Sequence, residues 1–440
     1  MEQIAGRLPA GELPKWTALT ALRPLHALMA APSLLFLAAL TAMLFRPPGV
    51  ELYPIDRIAF LLLVFVVLLR ALSLHQSFPV AGTATWPMLG LVALTLSCVL
   101  AQPYGPQNWS LFAAKWLVPL VLYHLAGLVF DDAASLKRFE LFALIILAYL
   151  SFTAIMSLAG INALIFPRYI LEEGLGIHAD RARGPFLQAV ANGLTLNLLG
   201  LIALDSFRRK RLRGVPALVF LITVPLALLA TKTRAVWLSS ALSVLILLFT
   251  SPSLRLRRAC LGLALTVSLG ILAILSFDSM GSSFDARLEE RGPVEFRMAV
   301  YQAGWEMFLD KPVAGWGAEN MQPELAKRIT DFHQEAFFFH NTYLEIAVEH
   351  GLLGLILYLW MVIALFRLGR KARVLAPSSP GSFLDGPFRA LWPVLLGVYL
   401  LNASFVVMNY QFVNGLLFTI AGMLAAQNRG LEARIHAFST

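Results

Sequence analysis

The chain has 440 residues, of which 58% are hydrophobic and 14% are charged, and its mean hydropathy is +0.72. This balance excludes a soluble globular protein and predicts a polytopic, all-α membrane protein. A net charge of +9 would favour nucleic-acid binding in a soluble protein, but in a membrane protein basic residues first report orientation, so we expect no nucleic-acid partner. Cys98 and Cys260 lie in apolar runs without metal-ligand spacing, which predicts neither a disulfide framework nor a metal site.

Twelve segments are apolar over the length of about 17 to 25 residues that a bilayer-crossing helix needs. In chain order, we predict spans at residues 24–45, 58–74, 84–101, 110–130, 139–161, 186–205, 215–231, 235–250, 258–276, 341–366, 388–408 and 411–427. The first segment lacks a small-residue cleavage site, so we expect it to be retained rather than removed as a signal peptide. We interpret residues 1–440 as a single integral membrane domain.

Short basic loops predict the orientation of these spans. The stretches FRRKRLRG (207–214), LRLRR (254–258) and FRLGRKAR (366–373) alternate with loops of lower basic density, so we expect them in the cytoplasm together with both termini. The opposite side then receives the two longest loops, residues 162–185 and 277–340. The second is too long and too mixed in composition to be a simple connector.

Part of this second loop has the pattern of an amphipathic helix. Within FRMAVYQAGWEMFLDKP (296–312), apolar and aromatic residues recur at spacings of three and four: Met298, Tyr301, Trp305 and Phe308. Such a helix is expected to lie on the membrane surface or to cap the helical bundle. Pro312 and the GWG at 315–317 should end it.

Arginines on the non-cytoplasmic side stand out, because the positive-inside rule disfavours them there. They are Arg181, Arg183, Arg234, Arg287, Arg291 and Arg297. Arg234 lies in a turn of about four residues between two predicted spans, so its guanidinium can reach only the bundle end or the bilayer interface. A planar fork of donors suits a phosphate or diphosphate group. The alternative interpretation is an arginine that extends to lipid phosphates.

His340 stands where the long loop enters the tenth predicted span, after three phenylalanines. A neutral imidazole at such a boundary can accept a proton from a sugar hydroxyl. Asn341 and Tyr343 could orient substrate hydroxyls, and Glu345 could hold the second ring nitrogen or pair with an arginine. A histidine that only caps the helix is the alternative.

Other features of the sequence narrow the chemistry. Lys115 lies inside the fourth predicted span and is a functional candidate by default, although the sequence does not identify its partner. The chain contains no GxxxxGK[ST] motif and no cluster with metal-ligand spacing. We therefore expect no cofactor and a metal-independent reaction if the protein is an enzyme.

Three stretches resemble the O-antigen ligases, and more broadly the O-antigen ligase and polymerase superfamily of bacterial envelope enzymes. They are TKTRAVWLS (231–239), FRMAVYQAGWEMFLDKPVAGWGAEN (296–320) and HNTYLEIAVEHGLLGLILYL (340–359), and the resemblance covers the chain from about residue 180 onward. It implies an enzyme of the inner membrane that acts at the periplasmic face. Such an enzyme transfers a glycan from undecaprenyl diphosphate to a sugar hydroxyl of lipid A–core.

The resemblance also assigns roles to residues. Arg234 would correspond to the family's first essential arginine, Arg297 or Arg291 to the second, and His340 to the histidine, with Arg183 as a further candidate. Chemistry agrees, because fixed guanidinium groups stabilise the charge that develops on a leaving diphosphate. No carboxylate pair suggests a covalent intermediate, so we expect a single displacement with inversion. A polymerase, a glycosyltransferase acting on protein hydroxyls, and a transporter of lipid-linked sugar remain alternatives.

Overall fold

The computed structural model describes residues 28–46, 54–75, 83–251, 253–275, 292–329, 337–375 and 383–439. These residues form helices and no β-strand, which confirms the all-α prediction. The helices are α1 Pro32–Leu44, α2 Ile55–Ser73, α3 Thr85–Leu100, α4 Pro106–Val129, α5 Ala133–Leu158, α6 Ala189–Arg208, α7 Gly214–Ala230, α8 Arg234–Thr250, α9 Leu254–Leu275, α10 Gly292–Asp310, α11 Ala318–Arg328, α12 Thr342–Leu375, α13 Gly386–Ala403 and α14 Gln411–Ser439.

Each of the twelve segments predicted from hydropathy overlaps a helix, namely one of α1–α9 or α12–α14. Four helical stretches are long and apolar enough to cross a membrane: Pro106–Val129, Ala133–Leu158, Ala189–Arg208 and Thr342–Arg370. Four more helices, α1, α3, α7 and α8, are apolar but only 10–17 residues long. The protein is therefore a helical membrane protein, whereas twelve complete crossings stay a prediction.

Hydrogen bonds gather the connecting segments at two ends of the bundle. At one end, which we call the loop end, Arg46 donates to Gln411 and Ser110, both at 3.3 Å, and Ala182 N donates to Ala230 O at 3.1 Å. The loop end contains the turns at 101–105, 159–188, 231–233, 337–341 and 404–410. The long loop predicted at 162–185 and the start of α12 therefore lie on the same side of the molecule.

The opposite end, which we call the basic end, is held by buried ion pairs. Arg208 pairs with Asp205 and Asp385, and Arg209 pairs with Glu140 and Asp205. These side chains are at most 11% exposed. Two arginines of the predicted basic loop therefore form ion pairs inside the protein, and these pairs connect α5, α6 and the residue before α13.

Helix α10 occupies the stretch that was predicted to be an amphipathic helix. Its Met298 and Trp305 are 63% and 56% exposed, whereas Val300, Met307 and Phe308 are buried in a small second core with α11 and the beginning of α12. Phe308 thus faces the protein interior, while its ring also contacts that of the exposed Trp305, with the ring centroids 5.3 Å apart. The helix covers the loop end with one apolar face and leaves the other apolar face open.

Helix α12 is interrupted at Gly351, whose φ of 64° and ψ of −159° are not helical. The loop 312–317 lies against the break and satisfies the backbone groups that the break releases. The hydrogen bonds are Trp316 N to Val348 O (2.9 Å), Gly317 N to Glu349 O (2.9 Å), Leu352 N to Pro312 O (2.7 Å) and Leu353 N to Val313 O (3.4 Å). Residues 342–350, which we call the first segment of α12, therefore form a short helix fixed by contacts at both of its ends.

Replacing Gly315 by alanine should destabilise this junction. Gly315 has a φ of 72°, and a Cβ there would clash with the carbonyl of Glu349. A non-glycine residue in this conformation costs about 1–3 kcal/mol before the clash is counted. We expect Gly315→Ala to lower the thermal unfolding temperature of the detergent-solubilised protein. The control is Gly262→Ala, where no neighbouring atom lies within 4 Å; an equal loss in both variants would contradict the junction described here.

Candidate active site

His340 occupies a bend immediately before α12 and adopts a left-handed backbone conformation with a φ of 49°. This conformation is uncommon for a residue with a side chain and often marks a functional position. The ring is half-buried, and Phe296 lies edge-on to it with the ring centroids 6.3 Å apart. Burial, and then the nearby charges of Arg297 and His178, lower the pKa of His340 to about 4. The imidazole is therefore neutral near pH 7 and able to accept a proton.

Helix α10 brings two side chains to His340. Arg297 is half-buried, and its charge acts on His340, on Arg181 and on Tyr301. The Tyr301 hydroxyl donates to the His340 carbonyl at 3.4 Å. Burial raises the pKa of Tyr301, while Arg297 and hydrogen bonding with the Asn341 side chain oppose that shift. The predicted pair of Arg297 and His340 thus lies in one electrostatic neighbourhood.

The loop between α5 and α6 contributes Arg181 and His178 from a distant part of the sequence. Arg181 is only 8% exposed, and burial lowers the pKa of its guanidinium, as does the like charge of Arg297. Its Nε has no hydrogen-bond partner among the residues that the structure describes, and Asp180 Oδ2 lies 3.9 Å away. Arg297 thus interacts with a buried guanidinium, that of Arg181, and with the His340 imidazole, and two neighbouring guanidinium groups are suited to an anion.

Arg183, two residues further on, has a different position. Its guanidinium donates to three carbonyl oxygens of its own loop, those of Ile170 (3.0 Å), Glu172 (2.5 Å) and Leu175 (2.5 Å). The side chain is only 2% exposed. The guanidinium of Arg183 therefore closes the loop that carries Arg181 and His178, and the substrate contact predicted for it stays a prediction.

Loss of Arg183 should consequently affect stability. Hydrogen bonds from a charged donor contribute about 1.5–3 kcal/mol each and are not additive, so Arg183→Met is expected to lower the free energy of unfolding by about 3 kcal/mol. The matched control is Arg168→Met, because Arg168 also donates to two carbonyls of this loop but is exposed. Thermal unfolding of the purified variants compares the two. Equal unfolding temperatures would show that Arg183 does not hold the loop.

The three other residues predicted to contact substrate also have internal partners. The Asn341 Oδ1 accepts from Tyr343 N at 3.0 Å and from Leu344 N at 3.1 Å, which makes Asn341 the N-cap of α12. The Tyr343 hydroxyl donates to Leu400 O at 2.9 Å. Glu345 pairs with Lys115 inside the bundle, so neither of the predicted partners, an arginine or the His340 ring, is the one found. Helix capping at this junction is performed by Asn341 and not by His340.

Arg234 is the first residue of α8 and is exposed at the loop end. The turn before it, residues 231–233, follows Ala230, whose carbonyl accepts from the backbone of Ala182. The beginning of α8 therefore lies beside the loop that carries Arg181. A helix N-terminus attracts anions through its free amides and its dipole, and Arg234 adds a full charge there. The alternative second arginine, Arg291, lies outside the described residues.

Two members of this site are not among the predicted residues. His178 stands three residues before Arg181 in the stretch HADRARGPF, and its proximity to the arginines in sequence was an available signal. Tyr301 was predicted only as part of an apolar stripe, because spacing alone does not reveal that its hydroxyl faces His340. Among the described residues, no group of three His, Cys, Asp or Glu side chains could hold a metal ion.

A large apolar cavity lies between α6, α7, α8 and α9, below the turn that precedes Arg234. Its volume is about 330 Å³, and its lining includes Leu228, Leu229, Trp237 and Val244. Trp237 lies one turn along α8 from Arg234, and its indole Nε1 donates to Leu228 O at 2.9 Å. The structure thus places a cationic helix terminus next to an apolar cavity within the bundle.

A family model described as O-Antigen ligase matches residues 216–359. A search of curated proteins gives no match. The matched stretch contains Arg234, Arg297 and His340, whereas Arg181 and His178 precede it. Proteins of this family are membrane glycosyltransferase-like enzymes of the ligase and polymerase type. The resemblance found in the motifs is therefore confirmed over residues 216–359, the stretch that matches the O-antigen ligase family model.

Proposed function

We propose that the protein is an O-antigen ligase. It transfers a glycan from undecaprenyl diphosphate to a hydroxyl of a lipid A–core sugar, and the reaction takes place at the loop end. In this proposal the loop end faces the periplasm, the basic end and both termini face the cytoplasm, and the protein lies in the bacterial inner membrane. The family supports a lipid-linked glycan as the substrate class.

One observation carries the proposal: Arg297 acts electrostatically on both Arg181 and His340, and these three residues come from separate parts of the chain to one end of the bundle. Arg181 comes from the loop before α6, Arg297 from α10 and His340 from the start of α12. Asp180 Oδ2 lies 3.9 Å from Arg181, and a further negative charge would offset the repulsion that remains between the two guanidinium groups. A diphosphate supplies that charge. The neutral imidazole of His340, on which Arg297 acts, is the group that can take a proton.

The reaction then needs no group beyond these side chains and the two substrates. The acceptor oxygen attacks the anomeric carbon and forms the new glycosidic bond while its proton passes to the free nitrogen of His340. The bond between the anomeric carbon and the phosphate oxygen breaks, and its electron pair remains on the leaving diphosphate. Arg297 and Arg181, with Arg234 at the neighbouring helix terminus, stabilise the charge that develops there. A single displacement from the face opposite the diphosphate inverts the anomeric configuration.

The apolar cavity beside Arg234 suits the other half of the donor. An isoprenoid chain attached to the diphosphate must leave the charged site towards an apolar region. The cavity of about 330 Å³ between α6 and α9 can receive part of such a chain next to the cationic terminus of α8. This arrangement would hold the diphosphate at the boundary between the charged loop end and the bundle interior.

The test is a transfer reaction with purified protein, undecaprenyl-diphosphate-linked glycan and rough lipopolysaccharide, with a chelator and without ATP. A ligase produces lipopolysaccharide of lower gel mobility and free undecaprenyl diphosphate. Lengthening of the lipid-linked glycan with unchanged lipopolysaccharide would instead show a polymerase. Movement of the lipid-linked glycan across a liposome membrane without a new glycosidic bond would show a transporter and would contradict the proposal.

A further inference from the structure

A buried ionic cluster lies inside the bundle, below His340. Lys115 on α4 pairs with Glu345 and, at 3.5 Å, with Glu349, which follows one turn later on the same face of α12. The side chains of Lys115, Glu345 and Glu349 are 11%, 8% and 3% exposed. None of these three residues belongs to the site formed by His340 and the arginines.

The cluster continues to a fully buried histidine. Glu349 Oε1 lies 3.5 Å from His350 Nε2, and that nitrogen lies 3.0 Å from the hydroxyl of Thr95 on α3. The polar side chains therefore connect the first segment of α12 to two other helices, α3 and α4. All of these contacts lie in the last six residues of that segment.

The backbone around the cluster is irregular on both sides. Lys115 lies in a π-helical turn, Ala113–Leu117, within the otherwise α-helical α4. Such turns are rare and occur often at functional positions. On the other side, α12 breaks at Gly351, directly after His350. The break separates the first segment from the rest of α12, so helix continuity alone does not set its rotation about its own axis.

Polar anchors set that rotation instead. Asn341 caps the beginning of the segment, the loop 312–317 bonds its end, and Lys115 holds the face between them. His340 immediately precedes the cap. A small rotation of the segment would therefore move the imidazole relative to Arg297.

Buried ion pairs rarely stabilise a protein more than apolar side chains of the same volume would, and their best-attested role is to specify one arrangement. We propose that Lys115, through Glu345 and Glu349, is a positioning residue for His340. It fixes the first segment of α12 so that the imidazole faces Arg297 and the acceptor hydroxyl. This inference rests on the proposed function.

The experiment compares Lys115→Met with Lys115→Arg and with a neutral triple variant, Lys115→Met/Glu345→Gln/Glu349→Gln. Lys115→Arg keeps the charge, and a cavity of about 20 Å³ beside Lys115 gives room for the larger guanidinium. The triple variant leaves no unpaired buried charge, so it carries the test if Lys115→Met does not fold. The matched control is Lys327→Met, whose lysine pairs with Glu324 at 3.3 Å on the surface of α11.

Two measurements are made on each variant: kcat and KM for transfer, and the rate at which diethyl pyrocarbonate modifies His340, followed by mass spectrometry. A misplacement of about 1 Å can reduce a rate about 100-fold. We expect Lys115→Met and the triple variant to lose kcat by about that factor with little change in KM, and to alter the modification rate of His340 but not of exposed His75. Lys115→Arg should keep most of the wild-type kcat and a nearly wild-type modification rate of His340. Lys327→Met should behave as the wild type.

The inference would be overturned if Lys115→Met or the triple variant folded and kept both the wild-type kcat and the wild-type modification rate of His340. The modification rate also separates this inference from the proposed function. If the wild-type protein transfers no glycan, the proposed function fails, and the reactivity of His340 alone decides whether Lys115 positions it.

Discussion

Replacing His340 is expected to reduce kcat for glycan transfer by about 10²- to 10⁴-fold, the contribution typical of a general base. The physical reason is that the acceptor hydroxyl must lose its proton as it attacks, and His340 is the neutral imidazole in the field of Arg297. His340→Asn is preferred over His340→Ala, because asparagine tolerates the left-handed backbone conformation that His340 adopts. Initial rates of lipopolysaccharide formation measure the effect.

The control is His75→Asn. His75 is exposed and also has a positive φ, of 50°, but it lies at the end of α2 away from the loop end. Both histidine variants should unfold at nearly the wild-type temperature, while only the His340 variant loses activity. Full transfer by a correctly folded His340→Asn protein would remove His340 from the mechanism.

The pH dependence follows from the lowered pKa of His340. Because burial and Arg297 lower that pKa to about 4, the imidazole is neutral in the free enzyme at any pH well above this value. The profile of kcat/KM, which reports the free enzyme, should stay flat on the acidic side of neutrality and fall only as the pH approaches about 4. A bound diphosphate offsets the charge of Arg297, so the acid limb of kcat should lie at a higher pH. An acid limb of kcat/KM at 6.5, the ordinary histidine value, would contradict this account.

The second large effect is expected for Arg297→Gln. Removing one preorganised group that stabilises developing charge typically costs about 10²- to 10³-fold in kcat. Arg297→Lys should recover only part of this loss, because a lysine lacks the planar fork that binds two phosphate oxygens. The same substitution has a separate consequence for His340. With the nearby cation gone, the acid limb of kcat/KM should move to a higher pH than in the wild type.

Arg328→Gln is the matched control for Arg297→Gln. Arg328 belongs to the same large loop but pairs with Asp310 at the end of α10 and with Glu324 on α11. Its loss should leave both kcat and the pH profile near the wild-type values. Unchanged transfer by Arg297→Gln would leave Arg291 as the second arginine and would exclude Arg297 from the chemistry.

The sequence predicted the helices well because burial in a membrane leaves a strong local signal. A run of apolar residues reports a helix without any knowledge of its neighbours, and all twelve predicted segments overlap helices. Asn341 could also have been predicted as an N-cap, since asparagine directly before an apolar helix is a common start signal. These features depend on residues that are close in sequence.

Contacts between side chains that are far apart in the sequence could not be predicted from the sequence pattern. Lys115 was predicted as a functional intramembrane charge, but its partners Glu345 and Glu349 follow more than two hundred residues later. Arg181 and Arg183 share one motif, yet their surroundings differ. The charge of Arg297 acts on Arg181, whereas Arg183 donates hydrogen bonds to carbonyls of its own loop. Spacing cannot separate two such arginines, because the direction of each side chain is set by how the loop folds back on α6 and α7.

The most direct test of where the reaction occurs is photochemical labelling with an undecaprenyl-type lipid that carries a diazirine next to its diphosphate. We expect the labelled peptides to come from the loop end and to contain residues 178–183, 292–301 or 337–345. Free undecaprenyl diphosphate should compete with this labelling. Labelling concentrated at the basic end, around residues 205–211 and 383–389, would place the diphosphate with the other group of arginines and contradict the account.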